Sequence, residues 1–112
     1  DTKRSLENKT RFIIEDKKIS ICDALLSETP GELTFSINKN LLSKGITVSD
    51  KEVMKAIKIG YEWLKLVIEP GGAVALTAAI NNIELVKNKN VLVILSGGNI
   101  DQNIFTNSIN TN

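Results

Sequence analysis

A serine, two glycines and an asparagine follow an apolar run near the end of the chain, in VLVILSGGN at residues 91–99. The apolar run is typical of a strand buried on both faces of a parallel sheet. In open α/β sheets, ligands bind beyond the carboxyl ends of the strands, where this hydroxyl and these glycines would lie. Adjacent glycines also let the backbone adopt a positive φ or approach a flat or anionic ligand closely. The stretch predicts a ligand site at a strand end, with a plain tight turn as the alternative.

The lack of histidine and the single cysteine limit the kinds of catalytic and metal site that the chain can form. The 112 residues include no histidine and a single cysteine, Cys22. Histidine is the commonest general base and metal ligand, so a serine–histidine triad is excluded and we expect no metal site. One cysteine cannot form a disulfide within the chain, and we expect Cys22 to be a small core residue.

Charge and hydropathy argue against nucleic acid or a membrane as partner. The 14 basic and 13 acidic residues leave a net charge of +1 and are interspersed along most of the chain. No apolar run approaches the roughly 18 to 20 residues that cross a bilayer, and the first residues contain no apolar signal region. With 42% hydrophobic residues, the chain can bury one small core. We expect a soluble cytoplasmic domain.

The clearest helix signal is SDKE at residues 49–52, which forms a capping box. Apolar residues then recur at three- and four-residue steps, which predicts a long amphipathic helix. We expect it to end near Glu69, because Pro70 disfavours helical backbone in the residue before it. Tyr61 and Trp63 on this helix are expected to pack against it rather than to stack on a ligand.

Three further helices are predicted. TPGE at residues 29–32 predicts a helix that is capped by its threonine and ends at Gly45. The small residues of GGAVALTAAI at residues 71–80 predict a helix that lies close against a neighbour. The opening DTKRSLENK predicts a helix capped by Asp1, and its abrupt start suggests a fragment.

These elements predict an α/β fold in which helices pack on a parallel sheet that includes residues 91–95. The chain offers only this one clear strand, so the fold is expected to be incomplete as given. The asparagine-rich end has little apolar surface to offset its ordering entropy. We therefore expect one partial domain over residues 1–105 and a disordered polar tail over residues 106–112.

Three segments resemble, in order and approximate spacing, the C-terminal end of the pyridoxal-phosphate-dependent threonine and serine dehydratases. They are ICDALLSETPGELTF, LKLVIEPGGAVAL and VLVILSGGNID. These dehydratases belong to the fold-type-II family, which is related to the tryptophan synthase β chain and includes serine racemase. The resemblance covers nearly the whole chain. It implies pyridoxal 5'-phosphate as the cofactor and identifies residues 1–105 as part of the large cofactor-binding domain.

The resemblance also implies a role for SGGN. The hydroxyl of Ser96 would lie against the pyridine nitrogen of the cofactor, with Gly97 and Gly98 keeping the loop tight. A hydroxyl can donate to a neutral pyridine nitrogen, whereas an aspartate would hold that nitrogen protonated and make the ring a stronger electron sink. A cap at the end of the strand is the alternative role for Ser96.

Four other residues border the pocket by the same resemblance. Glu69 would lie on the side of the cofactor ring, or would instead accept hydrogen bonds from backbone amides near the proline turn. Ala24 and Asp23 would line the pocket opposite the ring face, although Asp23 would also suit a capping role. Ser27 would face the substrate.

The Schiff-base lysine of the family, in a motif like S-x-K-x-R-G, and its glycine-rich phosphate cradle do not occur in this chain. The resemblance therefore implies an inactive C-terminal fragment of a lyase. The parent enzyme would convert a hydroxy amino acid to a 2-oxo acid and ammonia by β-elimination. Such enzymes are commonly homodimers or larger homo-oligomers, and nothing in this sequence identifies the interface.

Several alternatives stay open at this stage. Threonine, serine and hydroxyaspartate are not distinguished as substrates, nor is a dehydratase distinguished from a racemase. The second interpretation of the whole chain is a free-standing, non-catalytic α/β module that binds a ligand or a partner and keeps the shape without the chemistry.

Overall fold

The structure, a computed structural model, describes residues 2–14 and 19–111. The chain divides into two compact units, and the single partial domain over residues 1–105 stays a prediction. The first unit comprises Asp1–Ile19 and Leu26–Thr47, and the second comprises Ser20–Leu25 and Val48–Asn112. The residues with predicted site roles lie in the second unit, with the exception of Ser27.

The first unit contains helices α1 (Thr2–Asn8) and α2 (Glu32–Leu41). Phe35 of α2 and Ser5 of α1 are buried. The Ser5 hydroxyl accepts a hydrogen bond from the Phe12 amide at 2.9 Å. A helix at the start was predicted and is found, while its predicted cap, Asp1, lies outside the described residues.

Helix α2 is shorter than predicted at both ends. The residue before it is Gly31 rather than Thr29, and glycine has no side chain that could cap the helix. The preceding residues are held out of the helix by the loop at residues 11–14, whose Arg11 Nε donates to the Pro30 carbonyl at 2.8 Å. The Thr29 hydroxyl is buried without a hydrogen-bond partner among the described residues. The helix ends at Leu41, since asparagines weaken its last turn, and not at Gly45.

The second unit is built on three packed helices: α3 (Asp50–Leu64), α4 (Pro70–Asn81) and α6 (Gln102–Ile109). A 3-10 helix (Asp23–Leu25) packs on α4. A single-turn helix, α5 (Ile83–Val86), follows α4 in the chain. Helix α4 confirms the helix predicted over residues 71–80. The hydrophobic core of the second unit draws on separate parts of the chain: Cys22, Val53, Ile57, Ile68 and Ala73.

Helix α3 begins as predicted and ends five residues too early for the prediction. The capping box is complete, with the Glu52 carboxylate accepting from the Ser49 amide at 2.6 Å. The helix stops at Leu64, because Lys65 takes a left-handed conformation with φ of 59°. The chain then folds back along the helix, and Ile68 packs where a side chain on Gly60 would collide with it. Tertiary packing therefore ends this helix before the proline does.

The predicted parallel sheet is not found among the described residues. Residues 89–101 lie outside any helix, and no strand is paired in the described ranges. A parallel strand needs a neighbouring strand for its hydrogen bonds, and residues 91–95 have none there. Instead of being buried on both faces, Leu92 is 88% exposed and Ile94 is 68% exposed.

Helix α6 occupies much of the region that we expected to be a disordered tail. The Asp101 carboxylate caps it by accepting from the amides of Asn103 and Ile104, at 2.8 and 3.2 Å. Phe105 packs edge-on against Tyr61 of α3, with ring centres 5.3 Å apart. Residues 106–109 are therefore helical. The apolar side chains of α6 and its cap supply the ordering that a polar composition alone does not predict.

No helix in the described part of the chain combines the length and the apolar character that a bilayer crossing requires.

Candidate functional site

The site loop, residues 96–99, lies against the start of α4. The Glu69 amide donates to the Gly97 carbonyl at 3.0 Å. The Glu69 carboxylate accepts from the Asn99 amide at 3.1 Å. The structure thus brings two predicted site segments together, although they are separated by about thirty residues of sequence.

Close approach of backbone explains the glycines of this contact. A Cβ on Gly72 would lie 2.9 Å from the Gly97 carbonyl oxygen and 3.0 Å from the Gly97 nitrogen. A Cβ on Gly98 would lie 2.7 Å from the Val67 carbonyl oxygen. No glycine in the described ranges has a positive φ, so the loop uses the small size of glycine and not its conformational freedom.

Ser96 is exposed at the end of the extended segment. No hydrogen bond joins its hydroxyl to a residue in the described part of the chain. A serine that capped the segment would have a local backbone partner. The Ser96 hydroxyl is thus exposed, while the two glycines that follow it pack against Glu69 and Val67.

The 3-10 helix places Ala24 next to the start of α4, where a Cβ on Gly71 would lie 3.5 Å from that of Ala24. The carboxylate of Asp23 accepts from the adjacent Ala24 amide at 2.8 Å, within the 3-10 helix. Asp23 and Ala24 are both exposed. The structure therefore brings Ala24 to the same end of α4 as the site loop.

A hydrogen-bonded network fixes this 3-10 helix to α3. The Ser20 hydroxyl donates to the Asp50 carboxylate at 2.6 Å, and the Ile21 amide donates to the same carboxylate at 3.1 Å. Asp50 is the first residue of α3, so one carboxylate joins the two elements. Ser20 and Asp50 were not singled out by the sequence, because their pairing spans residues that are distant in the chain.

Cys22 lies in the core, as predicted. Burial raises the pKa of its thiol above the ordinary value, and the nearby carboxylates of Asp50 and Asp23 raise it further, against a lowering hydrogen bond with Ser20. The thiol is the nucleophile only when it is deprotonated. Cys22 is therefore a packing residue at neutral pH and not a reactive one.

Three further residues were assigned roles from the sequence: Ser27, Tyr61 and Trp63. Ser27 is exposed and belongs to the first unit, which does not contain the site loop. Tyr61 packs on Phe105 as predicted. Trp63, for which packing was also predicted, is 78% exposed, because the helix turns it away from the core that α3 shares with α4 and α6.

Sequence reasoning missed Asn99 and Gly72, which complete the contact between the loop and α4. Asn99 acts through its backbone amide, and a backbone role leaves no signature in residue type. Gly72 had been interpreted only as a small helical residue. In the described ranges, no group of three or more side chains could hold a metal ion.

Residues 3–97 match the family described as pyridoxal-phosphate dependent enzyme. The L-threonine ammonia-lyase of Thermotoga maritima is 37% identical over 93 residues, which are 83% of this chain and 23% of that protein. The beta-hydroxyaspartate dehydratase of Paracoccus denitrificans is 37% identical over 90 residues, which are 80% of this chain and 28% of that protein. The chain thus spans about a quarter of the length of these two relatives.

A solved structure shows the same likeness. The serine racemase from Dictyostelium discoideum superposes with a TM-score of 0.78 and 37% sequence identity, over 90% of this chain and 32% of that one. The family match covers most of the chain, including the start of α4 and the first two residues of the site loop. The chain belongs to the family of pyridoxal-phosphate-dependent enzymes.

Proposed function

We propose that this chain is the C-terminal part of a pyridoxal-phosphate-dependent ammonia-lyase that acts on a small hydroxy amino acid. The observation that carries the proposal is the open hydroxyl of Ser96, on a loop that Glu69 and the glycines hold against α4. The named activities of the two curated relatives, one on threonine and one on hydroxyaspartate, support a β-hydroxy amino acid as the substrate class.

The residues of the loop fit the pyridine ring of the cofactor. The Ser96 hydroxyl is exposed and has no hydrogen-bond partner in the described part of the chain, so a ring nitrogen can approach it. Ser96 supplies a hydroxyl that can donate to a neutral ring nitrogen. When bound, pyridoxal phosphate withdraws electrons from the α-carbon of an amino acid.

The chemistry of a serine at this place favours elimination. Ser96 would hold the ring nitrogen by a hydrogen bond without keeping it protonated, which limits the electron withdrawal. A limited sink suits a reaction in which the β-hydroxyl departs promptly. Ala24 and the start of α4 would form one wall of the same pocket.

We expect the other catalytic residues in the remainder of the proposed parent enzyme, outside these 112 residues. The Schiff-base lysine and the phosphate cradle belong there, and we propose that residues 91–95 pair there with further strands of a parallel sheet. The chain by itself is expected to have no lyase activity.

Substitution of Ser96 in the full-length enzyme tests the proposal. Ser96→Ala removes one hydrogen bond worth about 0.5 to 1.5 kcal/mol, so cofactor affinity falls about two- to tenfold. Ser96→Asp keeps the ring nitrogen protonated, so the partitioning of products shifts from elimination towards transamination. Cofactor dissociation and product analysis measure the two effects, and Ser43→Ala, at an exposed serine outside the helices, is the control.

If both Ser96 variants bind cofactor and partition products as the wild type does, Ser96 is only a turn residue and the assignment fails. Product analysis with L-threonine, L-serine and hydroxyaspartate tests the reaction type. A 2-oxo acid and ammonia are expected, and an inverted amino acid as the main product would make the enzyme a racemase instead.

A further inference from the structure

We propose that Glu69 is the positioning residue of the site loop: its carboxylate holds the loop backbone in place and so determines where the Ser96 hydroxyl lies. The inference rests on the proposed function, because it is Ser96 that is assigned to the cofactor. It differs from the role that the family resemblance implied, in which Glu69 itself borders the ring.

Glu69 makes two hydrogen bonds to the site loop. Its amide donates to the Gly97 carbonyl at 3.0 Å, and its carboxylate accepts from the Asn99 amide at 3.1 Å. The two bonded groups are two residues apart in the loop, and Ser96 directly precedes the first of them. A shift of either bonded group would therefore move Ser96.

The carboxylate also fills the space beside the loop. A Cβ built on Gly97 would lie 2.5 Å from Oε1, 2.6 Å from Cδ and 2.8 Å from Oε2 of Glu69. All three distances are shorter than a carbon atom can approach. Gly97 is thus fitted to the carboxylate of Glu69.

The residues on either side of Glu69 tie it to the core. Ile68 is 2% exposed and belongs to the hydrophobic core, and Pro70 is the buried first residue of α4. The backbone at Glu69 therefore has little freedom to move. The site loop is largely exposed, so its position depends on its hydrogen bonds to Glu69.

Two ways of acting are separated by the choice of substitution. Glu69→Gln keeps an acceptor oxygen of the same reach and removes the charge, whereas Glu69→Ala removes the acceptor. A positioning role needs only the acceptor. A direct electrostatic effect on the ring nitrogen needs the charge.

The experiment uses the full-length enzyme with Glu69→Gln and Glu69→Ala, each alone and combined with Ser96→Ala. Hydrogen exchange at the Asn99 amide is measured without cofactor, and the dissociation constant of pyridoxal phosphate is measured separately. Glu62→Ala and Glu62→Gln, at an exposed glutamate of α3, are the matched controls.

Glu69→Ala is expected to accelerate exchange at Asn99 about tenfold, since a hydrogen bond to a charged acceptor is lost. It is also expected to weaken cofactor binding about three- to tenfold, while Glu69→Gln stays within about twofold of wild type on both measures. In the Ser96→Ala background, Glu69→Ala should weaken binding by less than about twofold, because the group that it positions is gone. The Glu62 variants should match wild type.

Equal losses of cofactor affinity in Glu69→Gln and Glu69→Ala would overturn the proposal, and so would full additivity with Ser96→Ala. Failure of the proposed function has a different pattern, in which Ser96→Ala binds cofactor normally although Glu69→Ala still accelerates exchange at Asn99. If Glu69→Ala does not fold, Glu69→Asp replaces it, since aspartate keeps the charge and loses the reach; it should then resemble the loss expected for alanine.

Discussion

Gly71 and Gly72 are neighbours in the first turn of α4, yet a methyl group would meet different surroundings at each. At Gly72 it would press on the backbone of Gly97, at 2.9 and 3.0 Å. At Gly71 its nearest contact would be Ala24 Cβ at 3.5 Å, an ordinary distance. The helix propensity gained by alanine is the same at both positions, about 0.5 to 1 kcal/mol. The pair thus isolates the contact with the site loop.

We therefore predict opposite effects for two neighbouring substitutions. Gly71→Ala should leave the free energy of unfolding unchanged or raise it slightly. Gly72→Ala should lower it by about 1 to 3 kcal/mol, because the backbone of the loop must move away from α4. Denaturant unfolding of the full-length enzyme measures both, and equal stability of the two variants would show that the loop does not lie against Gly72.

At the scale of elements, Glu52 joins the start of α3 to the end of α4. Its carboxylate accepts from the Ser49 amide at 2.6 Å and from the Ser49 hydroxyl at 2.7 Å. It also accepts from the Asn81 side chain at 2.8 Å. These hydrogen bonds, those with Ser49 foremost, hold the pKa of the Glu52 carboxyl below its ordinary value of 4.5. One side chain thus caps α3 and ties α4 to it.

This lowered pKa predicts how Glu52 contributes to stability at different pH. A carboxyl whose pKa is depressed by folding stabilises the native state above the pKa of the unfolded chain and loses that effect as pH falls through the folded pKa. Wild type should therefore be more stable than Glu52→Gln at pH 7, and the difference should shrink below about pH 4.5. Unfolding titrations between neutral and acid pH measure it, with Glu84→Gln, an exposed glutamate of α5, as control. A difference that does not change with pH would contradict the assignment.

Helix α6 anchors the far side of the site loop. The capping residue of α6, Asp101, lies two residues after the end of the site loop. Phe105 of α6 packs on Tyr61 of α3. The Lys58 ammonium donates to the Thr111 carbonyl at 2.7 Å, which ties the end of the chain to the same helix. The loop is therefore hydrogen-bonded to Glu69, just before α4, and leads through Ile100 and Asp101 into α6.

Phe105→Ala should accordingly lower the free energy of unfolding by about 1 to 3 kcal/mol, through lost apolar burial and the lost ring contact. It should also weaken cofactor binding, because the site loop loses one of its anchors. Asn107→Ala, at an exposed residue of the same helix, is the control and should change neither quantity by much. Normal stability of Phe105→Ala would mean that α6 does not dock on α3 in solution.

At the scale of the whole molecule, several apolar side chains in the non-helical stretches 65–69 and 89–101 are exposed. Leu92 and Ile94 are 88% and 68% exposed, and Leu66 and Val67 are about half exposed. Such surface favours association when nothing covers it. In the full-length enzyme, we propose that a completed parallel sheet covers it.

Substitutions at this surface should therefore have opposite effects in two proteins. In the isolated 112-residue chain, Leu92→Lys combined with Ile94→Lys should reduce aggregation, because exposed apolar area is removed. In the full-length enzyme, the same pair should lower stability by several kcal/mol, because two charges would enter a buried strand. Light scattering and thermal unfolding measure the two effects. If the pair is neutral in the full-length enzyme, residues 91–95 are not a buried strand.

The sequence by itself determined what depends on neighbours a few residues away and on the identity of short segments. Three such predictions were correct: the capping box at Ser49, the helix over residues 71–80 and the burial of Cys22. A capping box involves residues three apart, and the other two predictions followed from residue types within a short segment. The three ordered segments likewise indicated the family and its cofactor, since motifs in order are specific even when each alone is weak.

Only the tertiary structure decided what depends on contacts between distant residues. Helix α3 ends at Leu64 because Ile68 packs back on Gly60, and α6 orders a polar stretch because Phe105 meets Tyr61. The hydrogen bond from the Asn99 amide to the Glu69 carboxylate joins groups thirty residues apart. A backbone amide is present in nearly every residue, so the sequence does not single it out. The sheet depends on partner strands that the described residues do not supply, and hydrogen bonds between strands cannot form without both.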